Sequence, residues 1–169
     1  MTYGVILAGG IGSRMGGDKP KQYLTIKGKP IIIYTIEKFL VVPEFEKVIV
    51  LCPKQWVEHT KNLIEKHIAP AKDRVAVIEG GSTRNETIMN AVKLIESEGN
   101  LNDDTIIVTH DSVRPFVTHR IIEENIKAIA LPLVLCNQFC CSLFTLAAPN
   151  ERTYTTWGNH KQPLLYCEE

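Results

Sequence analysis

The 169-residue sequence lacks an excess of charge of either sign, because 19 Lys and Arg residues balance 19 Asp and Glu residues. No overall field therefore favours nucleic acid or a membrane surface, and we expect neither as a partner. No apolar run reaches the roughly 18 residues that a membrane span needs. The first residues also lack the charged region and apolar core of a signal peptide, so we expect a cytoplasmic protein whose cysteines stay reduced.

Apolar runs typical of buried strands alternate four times with the pattern of amphipathic helices, and no repeat or low-complexity tract interrupts them. Strands are predicted over residues 5–7, 47–52, 74–78 and 105–109, and helices from about residues 30, 54, 83 and 118. Thr83, in a capping box with Glu86, and Thr118 are predicted helix caps. This order predicts a three-layer α/β/α sandwich with a mostly parallel, Rossmann-like sheet, whose ligands bind at the carboxyl ends of the strands.

A glycine-rich turn follows the first predicted strand. It comprises Leu7, Ala8, Gly9, Gly10 and Gly12. Backbone N–H groups in such a turn can face a ligand without interference from Cβ atoms. Arg14 and Lys21 add two cations beside it, which a purely structural turn would not need. The combination predicts a polyphosphate site, and so a nucleoside triphosphate as the ligand.

Two better-known phosphate loops do not fit this turn. The dinucleotide fingerprint G-x-G-x-x-G fails because Met15 occupies its last position. The P-loop fails because Gly17 is followed by Asp18 and Lys19 rather than by Lys and Ser or Thr. The remaining pattern is G-x-G-x-R-M with P-K-Q behind it.

A second motif, Gly80-Gly81-Ser82-Thr83-Arg84, follows the third predicted strand and opens a helix. The free N–H groups of a helix N-terminus suit anions and base edges alike. Taken alone, a tight strand-to-helix turn with a solvated Arg84 explains the motif better than a binding role. Beside the first motif, the functional interpretation is favoured, with Thr87 one turn further along the helix.

A third motif, residues 109–115 (T-H-D-S-V-R-P), follows the fourth predicted strand. Asp111 lies at the end of that strand, where a carboxylate is costly to desolvate without a partner. Mg²⁺ that bridges phosphate oxygens is one such partner. An ion pair between Asp111 and Arg114 is the alternative. We expect His110 to be a packed, hydrogen-bonded residue rather than a ligand.

These motifs, with residues 20–24 (P-K-Q-Y-L), resemble the cytidylyltransferase family that includes the 2-C-methyl-D-erythritol 4-phosphate and D-ribitol 5-phosphate enzymes. The resemblance covers residues 3 to about 128. It implies CTP and a polyol or sugar phosphate as substrates, Mg²⁺ as cofactor held by Asp111, a homodimer, and catalytic roles for Arg14 and Lys21. Nucleotide contacts are expected at Leu7, Ala8, Gly9, Gly10, Gly12, Gly80, Gly81, Ser82, Arg84, Thr87, Asp111 and Ser112.

Details of the first and third motifs separate the two branches of this family. Residues 8–10 (A-G-G) and 110–115 (H-D-S-V-R-P) look more like the ribitol-phosphate branch. The resemblance therefore implies transfer of CMP from CTP to D-ribitol 5-phosphate, giving CDP-ribitol and pyrophosphate for wall polymers such as teichoic acid. The alternatives are the methylerythritol-phosphate reaction of isoprenoid synthesis, a nucleotidyltransferase for another base or sugar phosphate, and a nucleotide-binding remnant without turnover.

The last 40 residues differ in composition from the rest. From residue 131 onward the charged residues are Glu151, Arg152, Lys161, Glu168 and Glu169. Four of the five cysteines are Cys136, Cys140, Cys141 and Cys167, in a spacing that fits no common zinc site. We expect a catalytic domain over 1–129, with a sheet truncated after its fourth strand-helix unit, and an atypical tail over 130–169. Our hypothesis is that this tail is the product of aberrant read-through. The arm that builds the family's homodimer has no recognisable counterpart there.

Overall fold

A computed structural model of the chain describes residues 1–10, 19–102, 104–130, 143–147, 154–157 and 160–163. The strands and helices, in chain order, are β1 (Thr2–Leu7), β2 (Thr25–Ile26), β3 (Lys29–Pro30), α1 (Ile31–Leu40), β4 (Phe45–Cys52), α2 (Val57–Ile68), β5 (Val75–Glu79), α3 (Arg84–Ser97), β6 (Ile106–Asp111), α4 (His119–Ala130), β7 (Leu143–Ala147), β8 (Tyr154–Trp157) and β9 (His160–Pro163). The described residues also include three 3-10 helices, Lys21–Tyr23, Lys54–Trp56 and Ala69–Arg74.

The main sheet has the strand order β5-β4-β1-β6-β7. Its first four strands are parallel, and β7 pairs antiparallel with β6. The N-terminal strand β1 therefore lies in the middle of the sheet, with Leu7 opposite Leu51 of β4 and opposite Asp111 of β6. The mostly parallel α/β sheet that the strand–helix alternation predicts is confirmed.

Two apolar cores cover the two faces of this sheet. On one face, Ile6 packs in a cluster with the inward residues of α1, α2 and α4, such as Ile36. On the other face, Val5 and Leu7 pack against α3 through Ala91. Successive residues of a strand point to opposite faces, so a strand buried on both sides reads as a continuous apolar run. The predicted three-layer arrangement is confirmed.

The predicted helix caps are also present. The side chain of Thr83 accepts a hydrogen bond from the N–H of Glu86 (3.1 Å), and the Glu86 carboxylate accepts one from the N–H of Thr83 (3.3 Å). Thr118 accepts a hydrogen bond from the N–H of Ile121 (3.3 Å) at the start of α4. The helix predicted from residue 54 begins instead as a 3-10 turn, and its α-helical part starts at Val57.

Strand β7 is an element that sequence periodicity did not predict. It lies beyond the predicted domain boundary near residue 130 and adds a fifth strand to the sheet through backbone pairing with β6. Strands β8 and β9 form a separate antiparallel pair. A short edge strand is held mainly by backbone hydrogen bonds to its neighbour. It can therefore form without a strong alternation of apolar and polar side chains. The four cysteines of the tail lie outside the described residues. In the described part of the chain, no helix has the length and apolar character to cross a membrane.

Candidate active site

The loops that carry the three sequence motifs meet at one edge of the sheet, beyond the carboxyl ends of its parallel strands. Backbone hydrogen bonds connect each loop to a neighbouring strand. The N–H of Ala8 donates to the carbonyl of Leu51 (2.7 Å), and that of Gly80 donates to the carbonyl of Cys52 (2.9 Å). The N–H of Ser112 donates to the carbonyl of Leu7 (3.0 Å). The three loops therefore form one surface, where ligands of open parallel sheets bind.

In the first loop, Gly9 and Gly10 are exposed, whereas Leu7 and Ala8 are buried. Among the described residues, no atom lies within 4 Å of a Cβ atom added to either glycine. Neither glycine has a positive φ angle. Packing against the described residues and backbone conformation therefore do not require glycine there, and the described residues leave space for a ligand beside this backbone. Two predicted site residues of this loop, Gly12 and Arg14, lie outside the described residues.

Lys21 begins the 3-10 helix that follows the first loop and is partly exposed. Its neighbour Gln22 is almost completely buried and donates hydrogen bonds to the carbonyl oxygens of Ala8 (2.7 Å) and Gly10 (3.0 Å). The sequence predicts a role for Lys21 in this P-K-Q run but none for Gln22. The structure connects this run directly to the glycine loop.

In the second loop, Gly81 lies against the start of α3. An added Cβ would clash with the Cβ of Glu86 and would lie 2.8 Å from the carbonyl carbon of Glu86 and 2.8 Å from the nitrogen of Thr87. Glycine is therefore required here by packing. The Thr87 hydroxyl accepts a hydrogen bond from the N–H of Gly81 (3.0 Å) and donates one to the carbonyl of Thr83 (2.7 Å). This hydroxyl stabilises the turn itself.

Ser82 is bonded to the same helix start. Its hydroxyl and its N–H both donate to the carboxylate of Glu86, and the N–H of Thr83 donates to it as well. These hydrogen bonds, with that of the Ser82 hydroxyl the strongest, lower the pKa of Glu86 from its ordinary 4.5. The Ser82 side chain thus stabilises the negative charge of Glu86 in this structure.

In the third loop, Asp111 ends β6 and lies between two guanidinium groups. Arg84 Nη1 donates to Asp111 Oδ1 (2.8 Å), and Arg114 Nε donates to Asp111 Oδ2 (3.2 Å). The ion pair with Arg114, the alternative that the sequence left open, is present. Arg84 is a second partner, 27 residues away along the chain on the second motif. The two motifs are therefore joined through one carboxylate, whose side chain is 25 % exposed.

Two buried polar side chains form hydrogen bonds with the backbone of the third loop. His110 is fully buried, and its Nε2 donates to the carbonyl of Arg114 (2.9 Å). The prediction that His110 is packed and hydrogen-bonded is confirmed. Thr35 of α1 donates its hydroxyl hydrogen to the carbonyl of Ser112 (2.9 Å), and both residues are buried. Sequence reasoning missed Thr35, because its partner lies 77 residues further along the chain.

Asp111 is the predicted metal ligand, and its surroundings are compatible with Mg²⁺. Among the residues that the structure describes, no group of three or more His, Cys, Asp or Glu side chains could hold a metal ion. Mg²⁺ needs no such cage, since it binds through one or two carboxylates with waters and substrate phosphates. An ionised carboxylate can accept about four hydrogen bonds or metal contacts in all, so Asp111 has capacity beyond its two arginine partners.

Comparisons with known proteins give the family. The sequence profile described as IspD, 2-C-methyl-D-erythritol 4-phosphate cytidylyltransferase, matches residues 2–132. Among solved structures, the chain is similar to the 2-C-methyl-D-erythritol 4-phosphate cytidylyltransferase of Francisella tularensis, with a TM-score of 0.58 and 31 % identity over 78 % of this chain and 53 % of that one.

The 4-diphosphocytidyl-2C-methyl-D-erythritol synthase of Anaerococcus prevotii gives a TM-score of 0.59 at 23 % identity, over 76 % of this chain and 50 % of that one. A further structure of a 4-diphosphocytidyl-2C-methyl-D-erythritol synthase gives 0.61 at 20 %, over 78 % of this chain and 55 % of that one. The chain thus spans about half the length of these enzymes, and the two structures below 25 % identity support the fold alone. By the match over residues 2–132, the chain belongs to the IspD family of cytidylyltransferases.

Proposed function

We propose that the protein transfers CMP from CTP to the phosphate of 2-C-methyl-D-erythritol 4-phosphate. The observation that carries this proposal is the family match over residues 2–132, which includes all three motif loops. An oxygen of the acceptor phosphate attacks the α-phosphorus of CTP, a new P–O bond forms, and the bond between the α- and β-phosphates breaks. Pyrophosphate leaves with the electron pair. The attacking phosphate is already anionic, so the step needs no catalytic base.

The main barrier to this reaction is electrostatic, because two anions must meet and negative charge grows on the α-phosphate and the leaving oxygens. Lys21 directly precedes Gln22, whose side chain contacts the first loop, and is proposed, with Arg14, to stabilise that charge. The nucleotide is proposed to contact Leu7, Ala8, Gly9, Gly10, Gly12, Gly80, Gly81, Ser82, Arg84, Thr87, Asp111 and Ser112. The hydrogen bonds of Thr87 support a role in shaping the second loop rather than in touching the base.

Asp111 is proposed to hold Mg²⁺ together with the substrate phosphates. The ion, when bound, would neutralise phosphate charge and polarise the phosphoryl oxygens. The two arginines beside Asp111 fix the orientation of its carboxylate, since each oxygen accepts a hydrogen bond from one of them. Arg84 begins α3 directly after the second loop and pairs with Asp111. It therefore connects the second loop to the proposed metal ligand.

D-ribitol 5-phosphate is the second candidate acceptor. It is favoured by the A-G-G sequence at residues 8–10 and by Ser112 and Val113 in the third loop, which look more like the ribitol-phosphate branch. Residues 8–10 lie in the first loop, and Ser112 is a buried residue of the third loop. Neither observation therefore identifies a contact with the acceptor. The family match favours methylerythritol phosphate.

The test is pyrophosphate release by the full chain with CTP and Mg²⁺, with the two acceptors supplied separately. Release with methylerythritol phosphate, and little with ribitol 5-phosphate, is the expected result. Release with ribitol 5-phosphate alone would reverse the choice of acceptor. A soluble chain that binds CTP and releases no pyrophosphate with either acceptor would contradict the proposal. ATP and UTP in place of CTP serve as controls for base selectivity.

A further inference from the structure

The four-residue pattern Pro-Lys-Gln-aromatic occurs twice in the chain, as Pro20–Tyr23 and as Pro53–Trp56. Both copies form a 3-10 helix that follows a proline with nearly the same backbone angles, φ −59° and ψ 144° in the first and φ −58° and ψ 145° in the second. The glutamines differ, because Gln22 is 1 % exposed whereas Gln55 faces solvent. Two turns of matching sequence and backbone therefore differ in what their glutamine contacts.

Gln22 reaches the loop after β1, where its side-chain nitrogen donates to two carbonyl oxygens. Nε2 lies 2.7 Å from the oxygen of Ala8 and 3.0 Å from the oxygen of Gly10. Only the NH₂ end of the amide can serve two acceptors, so the partners determine how the amide is oriented. A buried amide whose two N–H groups are both bonded is held in one conformation.

These contacts determine which way the loop backbone faces. In a trans peptide unit the C=O and N–H groups point in opposite directions, and the described residues contain no cis peptide. Because the carbonyl of Ala8 points toward Gln22, the N–H of Gly9 points away from it. Gly9 is exposed, and no atom of the described residues lies within 4 Å of the position that its Cβ would take. An anion can therefore approach this N–H group.

We infer that Gln22 is a positioning residue that orients the N–H group of Gly9, in the first loop, toward the phosphates of the nucleotide. Lys21 belongs to the same 3-10 helix, so the cation and the loop amides are connected through one short turn. The inference rests on the proposed function, because it takes a nucleoside triphosphate as the ligand. It assigns Gln22 no contact with the substrate.

The test compares Gln22→Met with Gln55→Met, its counterpart in the second turn, by equilibrium dialysis with CTP and with cytidine. Methionine nearly matches the size of glutamine but cannot donate a hydrogen bond. Gln22→Met is expected to weaken CTP binding by about tenfold or more, because loop amides that meet the phosphates are no longer held in place. Cytidine carries no phosphate, so its affinity is expected to stay nearly unchanged, and Gln55→Met should behave as the unmodified chain.

If Gln22→Met weakened CTP and cytidine binding alike, the variant would have a general structural defect. That result, or unchanged CTP binding, would overturn the inference and leave the proposed function standing. If the unmodified chain bound no CTP, the proposed function would be contradicted and the inference with it. Circular dichroism of each variant checks that it folds. In steady-state turnover, the expected loss in Gln22→Met appears in kcat as well as in the KM for CTP.

Gln22→Glu provides a second test, which is independent of the folding of Gln22→Met. At neutral pH its carboxylate faces two carbonyl oxygens and donates nothing, so CTP binding is expected to fall below that of the unmodified chain. At lower pH the protonated carboxyl group donates one hydrogen bond, and the affinity ratio of unmodified chain to variant should shrink. A ratio that does not change with pH would contradict the inference.

Discussion

Asp111 allows a structural role and a catalytic role to be separated by one substitution, Asp111→Asn. Asparagine keeps the size of the side chain and one acceptor oxygen, and it removes the charge. The two ion pairs lost are partly exposed, since the side chains of Arg84 and Arg114 are 44 % and 55 % exposed. Pairs of this kind contribute about 0.2–1 kcal/mol each to the free energy of unfolding, so the loss should not exceed about 2 kcal/mol.

That loss corresponds to a fall in Tm of no more than about 8 °C, because about 1 kcal/mol shifts the Tm of a chain of this size by about 2–4 °C. Turnover should suffer much more. A preorganised group that stabilises transition-state charge typically contributes about 10²–10³ to the rate, and Asp111→Asn should lower kcat for pyrophosphate release by that factor. The assay is pyrophosphate release at saturating CTP and Mg²⁺, with thermal unfolding of the same preparation.

Asp104→Asn is the matched control, because Asp104 is an exposed aspartate shortly before the amino end of β6, the same strand that ends in Asp111. It should change neither kcat nor Tm. A fall in Tm well beyond about 8 °C with nearly normal turnover in Asp111→Asn would refute the reasoning. Asp111 would then be a structural ion-pair partner of the two arginines and no more.

Three further substitutions test other parts of the site. Lys21→Ala should lower kcat by about 10²–10³ while the free energy of unfolding changes by about 0.5 kcal/mol or less. Gly9→Ala should weaken CTP binding at unchanged Tm, because its Cβ would enter open space, whereas Gly81→Ala should cost about 1–3 kcal/mol of stability by clashing with backbone. Glu86→Gln should destabilise the protein at neutral pH, since the Ser82 hydroxyl and two N–H groups lower the carboxyl pKa, and this loss should disappear as pH falls through that lowered pKa.

The chain supplies controls for these experiments. Lys54→Ala alters the exposed lysine of the second P-K-Q turn and should leave turnover unchanged. Turnover that falls equally in both lysine variants would show that the effect of Lys21 is not local. Gly9→Ala binding CTP normally would mean that the open space beside the loop is not the phosphate site. For Glu86→Gln, urea unfolding at several pH values gives the measurement, and a stability loss that stays constant well below pH 4.5 would contradict the assigned cause.

Local chemistry explains why much of the fold could be predicted from sequence. The capping box of Thr83 and Glu86 spans four residues, and its hydrogen bonds follow from residue type and spacing alone. The buried strands were recognisable because burial on both faces produces continuous apolar runs such as residues 47–52. The fifth strand, Leu143–Ala147, is held by backbone pairing with β6, which leaves little trace in side-chain pattern.

The site was predictable to the extent that its contacts are local. Arg114 could be proposed as a partner of Asp111 because it follows three residues later, whereas Arg84 reaches the same carboxylate from another element. The contacts of Gln22 with the first loop join segments 12 and 14 residues apart, and the sequence gives no sign of which polar side chain folds back. The roles proposed for Gly12 and Arg14 remain predictions from the sequence.

The central position of β1 has a consequence for how the chain is made. On one edge of the strand, Thr2 pairs with Ile106 and Leu7 pairs with Asp111. This edge of β1 therefore stays unpaired until about 100 further residues have been synthesised. At about 5–20 residues per second, synthesis takes roughly 5–20 s to reach β6. Five of the six residues of β1 are buried in the finished sheet. During that interval β1, one of the most apolar segments of the chain, remains exposed on the nascent chain, so a chaperone that covers it would prevent aggregation.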